Sequence, residues 1–258
     1  MDVKKDIQNE KDNREIPIDK VGVKHIKYPI IVEDKKNKFQ HTIADIDIFV
    51  ELPKEHRGTH MSRFLEVLNS YHKETLIDNL EPMLQKVKNR LNSQKSYITI
   101  RFPYFIEKVA PVSKISSLLN YDCVFEASLD TEFEFYFGVI VPVCALCPCS
   151  KEISDYGAHN QRSYVSLRLK YTSFIWLEEI IEIIERSASC ELFPLLKRQD
   201  EKYVTEHAFN HPVFVEDIVR NVTEKLKNDP RITWFCVESE NIESIHNHSA
   251  YAKVEYQK

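Results

Sequence analysis

Along this chain, β-branched and aromatic residues gather in short runs, and between the runs apolar residues recur at helical spacing. "YPIIV" (28–32) and "HTIADIDIFVEL" (41–52) predict strands, the second with Ile43, Ile46, Ile48 and Val50 alternating roughly with polar neighbours. "MSRFLEVLNSYHKE" and "LIDNLEPMLQKVKNRLN" predict helices. In the second, Leu76, Leu80, Met83, Leu84, Val87 and Leu91 form one stripe, and Pro82 belongs in the first turn or at a kink. "SYITIRFPYF" (96–105) and "YDCVFEASL" (121–129) read as strands.

The same order then recurs. Strands are expected at 132–143 and 163–172, helices at 177–189 and 212–228, and strands at 232–240 and 249–256, with Pro212 near the start of the second helix. Strand pairs that flank helix pairs imply an α+β class, with a mostly antiparallel sheet and helices on one face. The halves divide near residue 130, on pattern alone, because no sequence repeat relates them. Residues 1–20 carry charge without an apolar core and read as a flexible, solvated leader rather than a secretory signal.

Composition narrows the function. At 258 residues with 43% hydrophobic and 29% charged, the chain matches an ordinary globular protein. A net charge of -5, without a sustained basic stretch, argues against a nucleic-acid binder. No apolar run approaches the ~20 residues that span a bilayer, so no membrane partner and a cytoplasmic location are expected. The four glycines are far apart, which excludes a dinucleotide fingerprint and a P-loop.

The chemistry concentrates in "PVCALCPCSKEISDYGAHNQRS" (142–163). Three of six cysteines fall within six residues, open to reading as a zinc knuckle, a disulfide hairpin, a redox pair or a nucleophile with its base. In a reducing cytosol clustered cysteines more often bind metal or react than pair. A closed four-cysteine zinc site would want a second CxxC hook, and none exists; Cys123, Cys190 and Cys236 read as buried small hydrophobes. An open catalytic metal site needs fewer ligands: Cys147 or Cys149, His159, and a partner from Asp200, Glu201, Glu206, His246 or His248. "GTHMSRF" (58–64) suggests Thr59 capping a helix whose first turn holds His60, Ser62 and Arg63, a possible anion site. "HNQRS" serves no packing purpose and reads as a functional loop.

Together "LCPCSKEISDYGAHNQRS", "GTHMSRF", "LLKRQDEKYVTE", "FVEDIVR" and "ESENIESIHNHSAYA" resemble the GTP cyclohydrolase IB family, over nearly the whole chain from about residue 15. The resemblance implies two tandem tunnelling-fold (T-fold) units at 21–130 and 131–258, each an antiparallel four-stranded sheet with a helix pair on one face. The second unit would carry most of the active-site motifs. It also implies a homotetramer with active sites at subunit interfaces, and conversion of GTP and water to 7,8-dihydroneopterin triphosphate and formate, the entry to folate and tetrahydrofolate. Cys147, His159 and Glu201 match the family's metal ligands, for Zn²⁺ or Mn²⁺, and Glu216 its purine-anchoring carboxylate. Cys149, His246 and His248 fall among the catalytic positions. His60, Arg63, Lys114, Arg162, Lys197 and Arg198 are the candidate substrate contacts, while Cys144 departs from the pattern and is expected to be a bystander. Competing readings are an archaeal-type relative giving a cyclic phosphate, a nitrile reductase with a nucleophilic cysteine and NADPH, and a non-catalytic zinc-stabilised module.

Overall fold

A computed structural model describes Gln8 and residues 10–71, 74, 75 and 77–258. Eight strands follow one another in chain order in an antiparallel sheet: β1 (Ile18–Asp34), β2 (Lys38–Leu52), β3 (Ser96–Val109), β4 (Ser116–Leu129), β5 (Phe133–Leu146), β6 (Asn160–Tyr171), β7 (Ile232–Ile242) and β8 (Ser249–Gln257). The helices are α1 (Met61–Asn69), α2 (Leu80–Leu91), α3 (Pro148–Ile153), α4 (Leu177–Glu185), α5 (Arg198–Asn210) and α6 (Val215–Lys227). Two compact units result. The first comprises Met1–Phe102 with Val124–Tyr136, and the second Pro103–Cys123 with Phe137–Lys258.

In the first unit, strand periodicity decides which residues enter the core. Ala44, Ile46, Ile48, Val50 and Leu52 are buried along one face of β2, whereas Ile43 faces out. The expected alternation therefore holds at Ile46, Ile48 and Val50 and fails at Ile43 alone. Gly22 in β1 lies opposite Phe49, and a Cβ there would sit 2.0 Å from the Ile48 carbonyl oxygen, so only glycine fits. The α2 stripe of Leu80, Met83, Leu84 and Val87 is buried as its spacing predicts, and Pro82 falls in the first turn. Leu76 of that predicted stripe lies outside the described residues. The expected leader partly does too. From Gln8 the described chain hydrogen-bonds to the loop before α1, through the Gly58 and Arg57 amides, and β1 begins at Ile18.

In the second unit, Val165, Leu167 and Leu169 of β6, Phe235 and Val237 of β7, Ile180, Ile181 and Ile184 of α4, and Ile218, Val219, Val222 and Leu226 of α6 supply the core. α6 packs on β7 and β8, as an amphipathic helix on one sheet face should. It begins three residues after Pro212, because Phe214 takes the capping position and the Asp217 carboxylate accepts its N–H at 3.1 Å. α5 was not expected: only Asp200 and Ala208 of its residues are buried, so it carries no apolar stripe.

One buried ion pair links the strand and helix layers of this unit. Lys108 on β3 meets the Glu185 carboxylate of α4 at 2.8 Å, with both side chains at most 10% exposed, and the Tyr121 hydroxyl donates to the same carboxylate at 2.7 Å. Burial works against the ammonium charge, but Glu185 and Glu191 outweigh it and hold the Lys108 pKa above its usual range. Removing one partner of such a pair strands the other, at a cost of about 3–5 kcal/mol. Lys108→Ala should therefore lower the unfolding free energy by about that much in urea titration, while Lys108→Met with Glu185→Leu should recover most of it.

Candidate functional site

β5 and β6 are paired antiparallel down to Leu146 opposite Asn160, and the turn between them is built around Cys147. Cys147 caps α3, with Pro148 at the first helical position where its missing N–H costs nothing. The Cys147 Sγ accepts the Ser150 amide at 3.4 Å. The Cys147 amide donates to the His159 carbonyl at 3.1 Å, and the His159 amide donates to the Ser150 hydroxyl at 3.2 Å. The thirteen residues from Cys147 to His159 are thereby closed into one corner that brings together the backbones of two residues expected as metal ligands.

The ring of His159 is oriented as well. Its Nδ1 lies 3.0 Å from Oε1 of Gln161, a buried residue two positions on in β6. An amide oxygen only accepts, so Nδ1 carries the proton and Nε2 keeps its lone pair. A thiolate sulfur and an imidazole nitrogen suit Zn²⁺, and the imidazole also suits Mn²⁺; a partner on the second ring nitrogen is how a metal-binding histidine is held. Sequence reasoning missed Gln161, which stands at the start of β6 two residues after His159.

Among the described residues Glu201 is not gathered with Cys147 and His159 into one donor set. It is exposed in the first turn of α5, whereas α3 touches the other end of that helix, where Lys151 donates to the Phe209 carbonyl at 2.6 Å. Eight residues of helix separate Glu201 from Phe209, about 12 Å of rise. Among the described residues, the three-member donor set gathered within 4.8 Å is instead His25, Asp45 and Asp47. Those carboxylates already have cationic partners: Lys27 lies 2.8 Å from Asp45 and Arg101 lies 3.0 Å from Asp47. The set is an ion-paired knot between β1, β2 and β3, and a metal there would have to displace two cations.

What holds Glu201 in place is its neighbour. The Asp200 side chain is fully buried and accepts four hydrogen bonds. The Val112 and Ser113 amides both donate at 2.8 Å, the Ser113 hydroxyl at 2.6 Å and the Lys197 amide at 2.9 Å. Burial by itself disfavours the ionised form, but the Ser113 hydroxyl and the amides outweigh it and hold the carboxyl well below the usual range. Asp200 was expected as a possible metal partner; its oxygens are instead engaged in fastening α5 to the β3–β4 turn. In that turn Lys114 adopts a left-handed backbone, φ 60°, and donates to the Pro111 carbonyl at 2.8 Å.

The remaining candidates sit at element ends. The Val213 amide donates to the Leu146 carbonyl at 3.1 Å, which brings the approach to α6 beside Cys147 and leaves Glu216 exposed in the first turn. His246 and His248 are exposed in the β7–β8 loop, with rings stacked 5.0 Å apart. Cys149 is exposed in α3, Arg162 is exposed on β6, and Lys197 and Arg198 open α5. His60 and Arg63 belong to the first unit. His60, not Thr59, takes the capping position of α1, without a side-chain capping bond, and Arg63 donates to the Arg90 carbonyl at 3.1 Å. Cys144 pairs through its backbone with Cys190, and burial, then Cys144 itself, pushes the Cys190 thiol up to about 12.

Residues 5–252 match the family model described as type I GTP cyclohydrolase FolE2. The chain is 56% identical to the GTP cyclohydrolase FolE2 of Geobacter metallireducens, covering 98% of this chain and 97% of that one. It is also 56% identical to that of Syntrophotalea carbinolica, covering 98% and 95%. In structure it is similar to the uricase of Arthrobacter globiformis, with a TM-score of 0.54 at 8% identity over 93% of each chain. A highly active mutant of Bacillus sp. TB-90 urate oxidase aligns with a TM-score of 0.56 at 11% identity, over 93% of this chain and all of the other. Such likeness shows the fold alone, the tunnelling fold.

Asp200→Asn keeps the shape of the pin and weakens its acceptors. The Val112 and Ser113 amides should lose hydrogen-exchange protection while the amides of β6 keep theirs. Equal protection in both proteins would show that the turn is held by something else.

Proposed function

The chain belongs to the type I GTP cyclohydrolase FolE2 family, and on that footing we propose a metal-dependent enzyme of the IB kind that converts GTP and water to 7,8-dihydroneopterin triphosphate and formate. The observation that carries the metal site is the Cys147–His159 corner, where one sulfur and one imidazole nitrogen are presented by a closed hydrogen-bond ring. Zn²⁺ or Mn²⁺ is the proposed cofactor, with Glu201 as the third ligand. A divalent cation held there supplies Lewis-acid activation of water at neutral pH.

The protein's own groups supply the rest. Guanine offers N1–H and a 2-amino group on one edge, and the exposed Glu216 carboxylate can accept from both. Adenine has neither donor in that place, so the same carboxylate selects GTP over ATP. Opening the imidazole of guanine and reclosing a six-membered ring require proton transfers, for which we assign Cys149, His246 and His248; imidazole is the side chain suited to this near neutrality. Lys114, Arg162, Lys197, Arg198, His60 and Arg63 are assigned to the triphosphate and its surroundings. A homotetramer with active sites at subunit interfaces is part of the same proposal. Two T-fold units at 21–130 and 131–258, a cytoplasmic location and a role at the start of folate synthesis complete the reading. Among the described residues no helix is long and apolar enough to cross a membrane.

Purified protein given GTP with Mn²⁺ or Zn²⁺ should release formate and yield a product that fluoresces as a pterin after oxidation. Cys147→Ala should abolish both with the unfolding transition retained; turnover at the wild-type level in that variant, or in a verified metal-free sample, would overturn the metal-site assignment. Glu216→Gln removes a charged acceptor worth about 1.5–3 kcal/mol. Its GTP affinity should fall roughly 10- to 100-fold, and its preference over ATP should shrink. An unchanged GTP/ATP ratio would exclude the purine-anchor role.

A further inference from the structure

Lys151 belongs to the turn that carries Cys147, and the proposed chemistry gives it no part. Its amide donates to the Cys147 carbonyl at 3.2 Å and so closes the helical turn that Cys147 caps. Its ammonium leaves that turn. It donates to the Phe209 carbonyl at 2.6 Å and lies 4.4 Å from the centre of the Phe209 ring, so one residue of α5 meets it with both backbone and side chain. We propose that Lys151 is a positioning residue for the reaction. It fastens the connection between α5 and α6 to the Cys147 corner, and through that connection sets where the Glu216 carboxylate stands relative to the proposed metal ligands.

The end of α5 calls for a donor from outside the helix. The last four carbonyls of an α-helix have no partner within it. Two are met by His211, whose amide donates to the Ala208 carbonyl at 3.2 Å and whose Nδ1 lies 2.7 Å from the His207 carbonyl. The Phe209 carbonyl takes Lys151, a cation at the negative pole of the helix. Apolar burial contributes little there, since Asp200 and Ala208 are the buried residues of α5.

Four residues further on, a second bond holds the same connection. The Val213 amide donates to the Leu146 carbonyl at 3.1 Å, and the Leu146 amide in turn donates to the buried Ser189 hydroxyl at 2.9 Å. Leu146 and Lys151 lie on either side of Cys147 in the chain, while Phe209 sits in the last turn of α5 and Val213 just before α6. Two tie points fix both place and direction, where one would leave a hinge. The Val213 tie joins backbone to backbone. The Lys151 tie depends on a side chain, and a substitution can remove it. Glu216 follows Val213 by three residues, exposed in the first turn of α6. Small displacements of a group that orients a substrate have large kinetic effects.

This role rests on Glu216 as the purine anchor. Steady-state kinetics with GTP on the full chain loaded with Mn²⁺ or Zn²⁺ test it, with bound metal and the unfolding transition measured for each variant. Lys151→Met keeps an unbranched side chain and removes the charged donor, so KM for GTP should rise about 10-fold with bound metal unchanged. Lys151→Arg can still donate to the carbonyl and should bring KM back to within about 2-fold of the wild type. In Glu216→Gln the anchor is already impaired, so adding Lys151→Met should raise KM by less than about 3-fold more. A wild-type KM in Lys151→Met, or effects that multiply in full in the double variant, would overturn the proposal and leave the anchor standing. An unchanged KM in Glu216→Gln alone would remove the anchor, and the role of Lys151 with it. Should Lys151→Met fail to fold, Phe209→Leu removes the ring beside the ammonium and keeps the carbonyl. It should raise KM about 2- to 5-fold in the wild-type background and leave KM unchanged in Glu216→Gln; equal increases in both backgrounds would again overturn the proposal.

Discussion

The interaction on which the second unit's functional face depends is the burial of one carboxylate, that of Asp200. α5 cannot be held by apolar contact, since Ala208 is the only hydrophobic residue it buries. It is fastened through Asp200 to the amides of the β3–β4 turn and to its own capping amide. A carboxylate in such a place is tolerated only when its lone pairs are filled, and here four donors fill them. The consequence is positional. Glu201, Lys197 and Arg198 on one side, and Lys114 on the other, are referred to the same buried anion.

The Cys147–His159 corner uses another device. There the register of β5 and β6 sets the separation, and a short helix capped by Cys147 is inserted in the connection. Backbone hydrogen bonds do the joining, so the side chains stay available. Gln161 then settles which nitrogen of His159 faces outward, and it does so from within the sheet, where its own position is fixed by pairing with Ala145.

Much of this was legible in the sequence, and the failures have physical causes. The α2 and α6 stripes and the buried runs of β5 to β7 obeyed the rule that spacing selects the buried face, so they could be read directly. β2 was misread at Ile43 alone, because its outward face also carries apolar residues and Ile43 remains 64% exposed. α5 was seen as a polar cluster, since a helix anchored by a buried acid has no hydrophobic signature. Thr59 looked like a cap by residue type, but the backbone turns one residue later, at His60. The motif points to Cys147 and His159 together, and the backbone hydrogen bond between them places both at one corner.

An acidic chain that must bind a polyanion needs its positive charge in one place, not in total. The net charge of -5 makes a global attraction to GTP impossible, so selectivity and affinity have to be local. Asp200 contributes by how its charge is satisfied. Its partners are amides and a hydroxyl rather than a lysine or arginine side chain, so the anion orders the neighbouring cations without cancelling them. Lys108 and Glu185 follow the opposite rule, each neutralising the other inside the core, where a lone charge could not remain. The same unit therefore separates its charges by purpose. Those that hold layers together are paired and buried, and the cations proposed for the substrate stand near an anion whose own charge is met by amides and a hydroxyl.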